Sequence, residues 1–362
     1  MIAYVFLTFF ISFLICLLIV VKAKRFNAFI TDHLHFGPQM FHSNPTPRIG
    51  GIGIFIALIG FLILALFKDK SYFSDFTLMI LCSIPVFLTG VFEDVFGKFS
   101  AKIRLLIMSI GPSTAFFLLE ASIKRVDLPF DFLLSFGIVS FLFTVFAVVG
   151  ITNAINIIDG FNGLASMVSI IILLALGYVS YKVGDYFLII LCVSLVGAIA
   201  GFFILNYPSG LIFLGDSGAY LIGFIIGISS VMLVNRHPEV SPWFPFVVCI
   251  YPIFEVLFSI YRKAFLRGIS PLAPDGLHLH MIIYKRITKK ILSPEADSLK
   301  RNSATSPFLW ILSTLGVVPG LLWWKNTTVL IICAFCFFVI YTLSYWKVLT
   351  GSFIRLKQRR LR

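Results

Sequence analysis

Runs of about twenty mostly apolar residues recur along this chain, and a run of that length is what a helix needs to cross the hydrocarbon core of a bilayer. Eleven are found, near 2–21, 50–67, 75–92, 103–121, 132–152, 163–181, 186–205, 215–234, 243–261, 307–324 and 328–346. The weakest is 103–121, which holds Gly111, Pro112 and Glu120. The run at 307 opens well, with Ser306 as helix N-cap and Pro307 at the first helical position. Composition agrees: apolar residues make up 59% of the chain and charged residues 12%, about half the charged share of an ordinary globular protein. So few charges cannot cover a water-soluble surface. A soluble globule, a disordered chain and a secreted disulfide scaffold are excluded. The expected fold is an all-α, polytopic membrane helix bundle of about 11 transmembrane helices.

Six cysteines (Cys16, Cys82, Cys192, Cys249, Cys333, Cys336) all fall in apolar runs and read as small buried hydrophobes. Cys333 and Cys336 form C-x-x-C, but inside a span and without a partner pair, which argues against a metal or redox site. The first run has no basic residue before it and no small-residue cleavage site after it, and Lys22, Lys24 and Arg25 follow. It reads as a retained anchor rather than a cleaved signal peptide.

Lys and Arg orient the bundle. Of the 29 basic residues, 22 lie before span 2, between spans 3 and 4, between spans 9 and 10, or in the tail. That side is expected to be cytoplasmic. An odd number of spans then puts the N-terminus outside and the C-terminus in the cytoplasm. The net charge of +13 is explained by topology and anionic lipid, with no nucleic-acid partner needed. One transmembrane domain, 1–347, is expected, with cytoplasmic loops at 22–49, 93–102, 153–162, 206–215 and 262–306, followed by a basic tail, 348–362.

The same side collects the unusual polar residues. The loop before span 2 carries Pro47-Arg48-Ile49-Gly50-Gly51, and loop 3–4 carries Glu93-Asp94 and Lys98, then Ser100-Ala101-Lys102. Loop 5–6 runs from Asn153 through Asn156, Asp159 and Asn162 to Gly163. Loop 7–8 reads Phe213-Leu214-Gly215-Asp216, and loop 9–10 holds Asp275-Gly276-Leu277-His278-Leu279-His280. Bland readings exist for each. The two glycines serve equally well for close helix packing, an isolated Glu-Asp pair is commonly just solvated, and Asp216 suits a helix N-cap. A lone H-x-H is a weak zinc signal. Loop 5–6 resists this treatment, because three Asn and one Asp at a membrane edge are costly to desolvate unless they bind something. Glu255 stands inside span 9, and Arg262 lies two helical turns on. A structural ion pair between them and a role in shaping the site are the two readings.

Carboxylates with Asn carbonyls are hard oxygen donors, suited to Mg²⁺, with Mn²⁺ as the alternative, and not to Zn²⁺. Mg²⁺ in enzymes usually bridges phosphates, and nearby cations complete a phosphate site. The pattern suggests phosphoryl transfer to or from a lipid.

In the order and wording of these segments the chain resembles the polyprenyl-phosphate N-acetylhexosamine-1-phosphate transferases of glycosyl transferase family 4. The N-A-x-N-x-x-D-G-x-N-G segment, Asn153 to Gly163, carries the resemblance most specifically, and F-x-G-D, Phe213 to Asp216, comes next. The resemblance implies that a UDP-N-acetylhexosamine gives its sugar 1-phosphate to undecaprenyl phosphate at the cytoplasmic face of a bacterial inner membrane, releasing UMP and starting a lipid-linked surface glycan such as O-antigen. It implies that Asp216 and Asn156 hold Mg²⁺, that Phe213 stacks on uracil and that Asn162 hydrogen-bonds the uracil edge. Lys102, Arg262 and Arg286 would hold phosphates, and Arg48 and Asn153 would bind substrate. His278 and His280 would lie beside the sugar phosphate, Asp159 would join the catalytic group, and Glu93-Asp94 would take the paired-carboxylate position by the lipid phosphate. A phosphate monoester has a second pKa near about 6, so the acceptor needs no strong base. Asp94 is expected to position it or to remove a residual proton. Members are often homodimers; the sequence leaves oligomeric state open.

Three departures from the pattern bear on which sugar is used: Glu93 for a first Asp, Gly276 for an Arg, and Met281 for a third histidine. The last argues against the alternative of a phospho-N-acetylmuramoyl-pentapeptide transferase. A secondary transporter is the rival from another class, but its midplane charges and repeated halves have no counterpart here. The G-x-G-D of an intramembrane aspartyl protease fails at Phe213.

Overall fold

The computed structural model describes residues 1–26, 46–97, 99–270, 276–292 and 297–350. Expectations placed on Lys98, on Pro274-Asp275, on residues 27–45 and on the tail from 351 lie outside the described residues. Among those described there is no strand. The chain is an all-α, multi-pass membrane protein.

Among the described residues, ten spans, one of them made of two helices, are long and apolar enough to cross a bilayer. They are α1 (Ile2–Phe26), α2 (Gly50–Lys68), α3 (Phe73–Phe96), the pair α4 (Ala101–Met108) and α5 (Ile110–Leu118), α6 (Gly137–Ile158), α7 (Leu164–Val183), α8 (Tyr186–Asn206), α9 (Gly215–Arg236), α14 (Ser298–Leu322) and α15 (Thr327–Thr350). The expected span at 243–261 is broken instead into α10 (Trp243–Val248) and α11 (Ile250–Tyr261). Pro252 has no N–H for the Val248 carbonyl, and its ring crowds that turn, so the break falls at Cys249. Among the described residues between α11 and α14 lie the short helices α12 (Leu279–Ile283) and α13 (Lys289–Ile291).

The central helix is α9, the most enclosed span, which packs on α2, α3, α6 and α7. Its contact with α2 is backbone on backbone: a Cβ on Gly51 would stand 2.2 Å from the Gly218 nitrogen. Small residues allow this approach, which supplies the van der Waals packing that helices in lipid rely on. Outward residues such as Phe6, Leu106, Phe146 and Phe335 are exposed and form the surface that meets acyl chains.

Polar segments gather at the two ends. At one end Tyr4 donates to Asp69, and Arg236 pairs with Asp75 and Asp185, each at 3.6 Å. At the other end the termini of α2, α3, α6, α8, α9, α11, α14 and α15 meet, and all the expected site residues lie there.

Three local expectations change. Residues 153–158 are not loop but the last turns of α6. Helix α14 starts eight residues before Ser306, with the Asp297 carboxylate accepting from Leu299 N–H as its cap. Pro307 sits inside that helix, where it forfeits a single bond, and the Ser306 hydroxyl instead donates to the Asn162 carbonyl at 2.6 Å. All six cysteines are free, but only four are buried. Cys333 is half-buried and Cys336 exposed, because that turn of α15 faces outward.

Candidate active site

The site is built around the first turn of α9. Gly215 enters it at φ +75°, and a Cβ there would lie 2.1 Å from the Arg48 carbonyl oxygen and 2.6 Å from Asp94 Oδ2. Only glycine fits. The preceding residues are clamped to the segment before α2: Phe213 N–H donates to the Pro47 carbonyl, Gly50 N–H to the Phe213 carbonyl and Gly51 N–H to the Leu214 carbonyl, each at 2.9 Å. Arg48 and Asp216 are thereby held on the two sides of one short backbone ladder.

Asp94 comes from the last turn of α3 and is 3% exposed. Its Oδ1 accepts from Asp216 N–H at 2.8 Å and its Oδ2 from Ser217 N–H at 3.0 Å. It is therefore the cap of α9, supplied from another helix. An anion at a helix N-terminus satisfies otherwise orphaned amides and gains from the helix dipole. The bland reading of Asp216 as the cap of its own helix does not hold: Asp216 is the second residue of α9, and its half-buried side chain accepts from Asn156 instead.

From α6, Asn156 Nδ2 donates to Asp216 Oδ1 at 2.7 Å. Asn153, Asn156 and Asp159 recur every three residues, so they line one edge of the helix end. Asp159 is the C-cap of α6. Burial pushes the Asp159 carboxyl up to about 7, with the Arg48 charge opposing the rise and the Asp216 charge adding to it. Two carboxylates and an amide thus share one basin with a cation, Arg48, whose buried Nε has no hydrogen-bond partner. Among the described residues no three His, Cys, Asp or Glu side chains gather closely enough to ligate a metal. The donor set fits a hard ion that keeps several waters and takes one or two carboxylates, which is the habit of Mg²⁺.

The histidines form the neighbouring wall. Glu255, buried in α11, accepts from Leu279 N–H at 2.7 Å and from the Tyr341 hydroxyl at 2.8 Å, and His278 Nδ1 lies 3.2 Å from its Oε1. A carboxylate only accepts here, so the His278 proton sits on Nδ1 and leaves Nε2 to meet a ligand. His280 stacks parallel to His278, with centroids 5.2 Å apart, and its Nε2 lies against Gly160, next to Asp159. The ion pair expected between Glu255 and Arg262 is replaced by this network. Arg262 donates instead to the Leu277 carbonyl at 2.6 Å and to the Tyr345 hydroxyl at 2.7 Å. It buttresses the histidine segment from behind.

Other expected residues are placed as follows. Asn162 is 1% exposed, its Nδ2 donating to the Pro208 carbonyl at 3.2 Å and its N–H to Asn302 Oδ1 at 2.8 Å. It ties the α6–α7 turn to α14, and only its buried Oδ1 is without a partner. Glu93 and Asp94 do not face a common point: Glu93 lies 3.8 Å from Arg104 and accepts from Phe99 N–H at 3.3 Å. Phe213 is half-buried, while Lys102 is exposed in the first turn of α4. Arg286 is not turned to the basin; it donates to the Val348 and Leu349 carbonyls at the end of α15. Sequence reasoning did not find Tyr341 or Asn302. Both sit far along the chain from their partners, and neither carries a local signal.

Residues 76–234, which span the basin from α3 to α9, match the sequence profile of glycosyl transferase family 4. The chain is 29% identical over 253 residues to the undecaprenyl-phosphate alpha-N-acetylglucosaminyl 1-phosphate transferase of Thermotoga maritima, covering 68% of this chain and 71% of the relative. To the enzyme of that name from Salmonella typhi it is 25% identical over 334 residues, 89% of this chain and 86% of the relative. A phospho-N-acetylmuramoyl-pentapeptide-transferase of Leuconostoc mesenteroides is 32% identical over 149 residues, but this is 41% of the chain and 46% of that relative.

Proposed function

Because the stretch that carries the basin matches the profile of glycosyl transferase family 4, we propose that the chain transfers an N-acetylhexosamine 1-phosphate from a UDP-sugar to undecaprenyl phosphate. UMP leaves and a lipid diphosphate sugar remains. The similarity of nearly the full chain to N-acetylglucosaminyl 1-phosphate transferases makes UDP-GlcNAc the first donor to try. The product would initiate a lipid-linked surface glycan at the inner membrane, with the site end of the bundle in the cytoplasm, where 22 of 29 basic residues are expected. The muramoyl-pentapeptide alternative is supported by a shorter match and opposed by Met281 in place of a third histidine.

The observation that carries this reading is the meeting of Asp216, Asn156, Asp159 and Arg48 at one capped helix start. Asp216, Asn156 and Asp159 would hold Mg²⁺, which supplies neutralisation of charge on the diphosphate. Asn156 fixes the Asp216 carboxylate through its 2.7 Å bond. Asp94 holds the backbone that carries Asp216 and keeps the first turn of α9 from moving during the reaction. Arg48 offers a fixed positive charge to the diphosphate, and Phe213 an aromatic face to the base. His278, its tautomer set by Glu255, presents Nε2 toward the sugar phosphate. The acceptor is already mostly dianionic at neutral pH, so its oxygen attacks the sugar-bearing phosphorus directly as the bond to the UMP oxygen breaks. A donor panel tests this: purified protein, undecaprenyl phosphate, Mg²⁺ and several UDP-sugars, with UMP as the readout. UMP release that needs both lipid and Mg²⁺ is expected. Sugar uptake into proteoliposomes with no UMP would point to a transporter instead.

A further inference from the structure

Tyr220 lies one helical turn beyond Asp216 on the same face of α9 and is fully buried, yet its hydroxyl has no hydrogen-bond partner. Burying a hydroxyl unpaired costs about 1–3 kcal/mol, so a second polar group is expected to meet it. The charges of Asp216, Arg104, Glu93 and Asp94 act on it. The carboxylates among them have other donors: Asp94 takes two α9 amides, Asp216 takes Asn156, and Glu93 takes Phe99 N–H. Arg104, from α4, is in the same condition as Tyr220. Its buried Nε is unbonded, and its contact with Glu93, at 3.8 Å, is too long for a hydrogen bond. Two buried donors on two helices, Arg104 Nε and the Tyr220 hydroxyl, are thus without a hydrogen-bond partner.

The surroundings say what kind of acceptor. On the helices that carry Glu93 and Arg104, Phe92 and Phe96 of α3 and Ile103 and Leu106 of α4 are all exposed, Leu106 at 71%. They would contact hydrocarbon. An anion arriving here would come from the bilayer with an apolar chain attached. We propose that Arg104 and Tyr220 bind the phosphate of the polyprenyl acceptor where it enters between α3 and α4, beside the basin that holds the UDP-sugar. The inference rests on the proposed reaction for the identity of the lipid, but the anion site is testable without it. Arg104 supplies charge and a planar donor fork, Tyr220 a neutral donor from below, and Lys102 remains an exposed outer cation.

The test is native mass spectrometry of the full chain in detergent, titrated with undecaprenyl phosphate and, separately, with undecaprenol. Tyr220→Phe and Arg104→Gln should each weaken binding of the phosphate form about tenfold, the size of one hydrogen bond to a charged group. Undecaprenol binding and UDP binding with Mg²⁺ should not change. In turnover, KM for the lipid should rise while KM for the UDP-sugar holds. Wild-type affinity for undecaprenyl phosphate in both variants overturns the proposal. So does displacement of the lipid by an equal concentration of inorganic phosphate, which would make this a site for a free anion. If Arg104→Gln also loses UDP binding, Arg104→Lys decides: partial recovery of lipid-phosphate binding supports the assignment, and none overturns it. A wild type that binds the lipid phosphate but releases no UMP would sink the proposed reaction and leave the anion site standing.

Discussion

Asp94 and Glu93 are neighbours in sequence with different work to do. Asp94 accepts two backbone amides in a buried place, and removing it leaves both unpaired; Glu93 takes part in a long, half-exposed contact with Arg104. Asp94→Ala should therefore cost about 2–3 kcal/mol and Glu93→Ala less than about 1 kcal/mol, read as Tm in detergent. Equal shifts would contradict the capping role. Asp159 gives a prediction in pH. Its carboxyl is raised to about 7 by burial, so on lowering the pH through that value it gains a proton and loses the charge that attracts a cation. Apparent Mg²⁺ affinity should weaken between about pH 8 and 6 and do so less in Asp159→Asn, as a Mg²⁺ titration at each pH would show. At this scale the sequence was informative about residue type and poor about partners. The polar segments stood out because they interrupt apolar runs. Nothing local says that Asp94 meets residues 122 and 123 positions away.

The elements turn those residues into a site because several helices end at one level. Gly215 is the most constrained point, with a left-handed φ and a carbonyl oxygen 2.1 Å from where a Cβ would stand. Gly215→Ala should cost at least about 2 kcal/mol and abolish activity, seen as loss of monodisperse protein or of UMP release; near-normal behaviour would mean that the clamp between 46–51 and 213–214 is soft. Helix positions were legible from apolar run length alone, and that rule found α1 to α9 in outline. It missed where polar turns extend a helix. Residues 153–158 and 298–306 read as loop by hydropathy, yet they are helical because their polar groups find partners at the basin, as Asn302 does with Asn162 N–H. The Glu255–Arg262 pairing failed for a related reason. Two helical turns place them on one face of an ideal helix, but Leu279 N–H and the Tyr341 hydroxyl reach Glu255, and the Leu277 carbonyl and Tyr345 hydroxyl take Arg262.

For the whole molecule, the claim is that chemistry is confined to one end of a multi-pass bundle, with ion pairs of Arg236 at the other. Sidedness is a separate prediction. In intact cells a membrane-impermeant maleimide should label Lys182→Cys and not Lys102→Cys, and the reverse pattern would place the site outside. Segregation of the motifs to one end was legible in the loop order, since an alternating series of spans sends every second loop to the same face. How the motifs touch was not, because it depends on α9 being gripped from α2, α3 and α6 together. The most direct test is a structure with Mn²⁺ and UDP bound, located by the anomalous signal of the metal. The peak should lie against the carboxylates of Asp216 and Asp159, with the diphosphate toward Arg48. A peak elsewhere, such as beside Asp75 and Glu120 at the far end, would contradict the account.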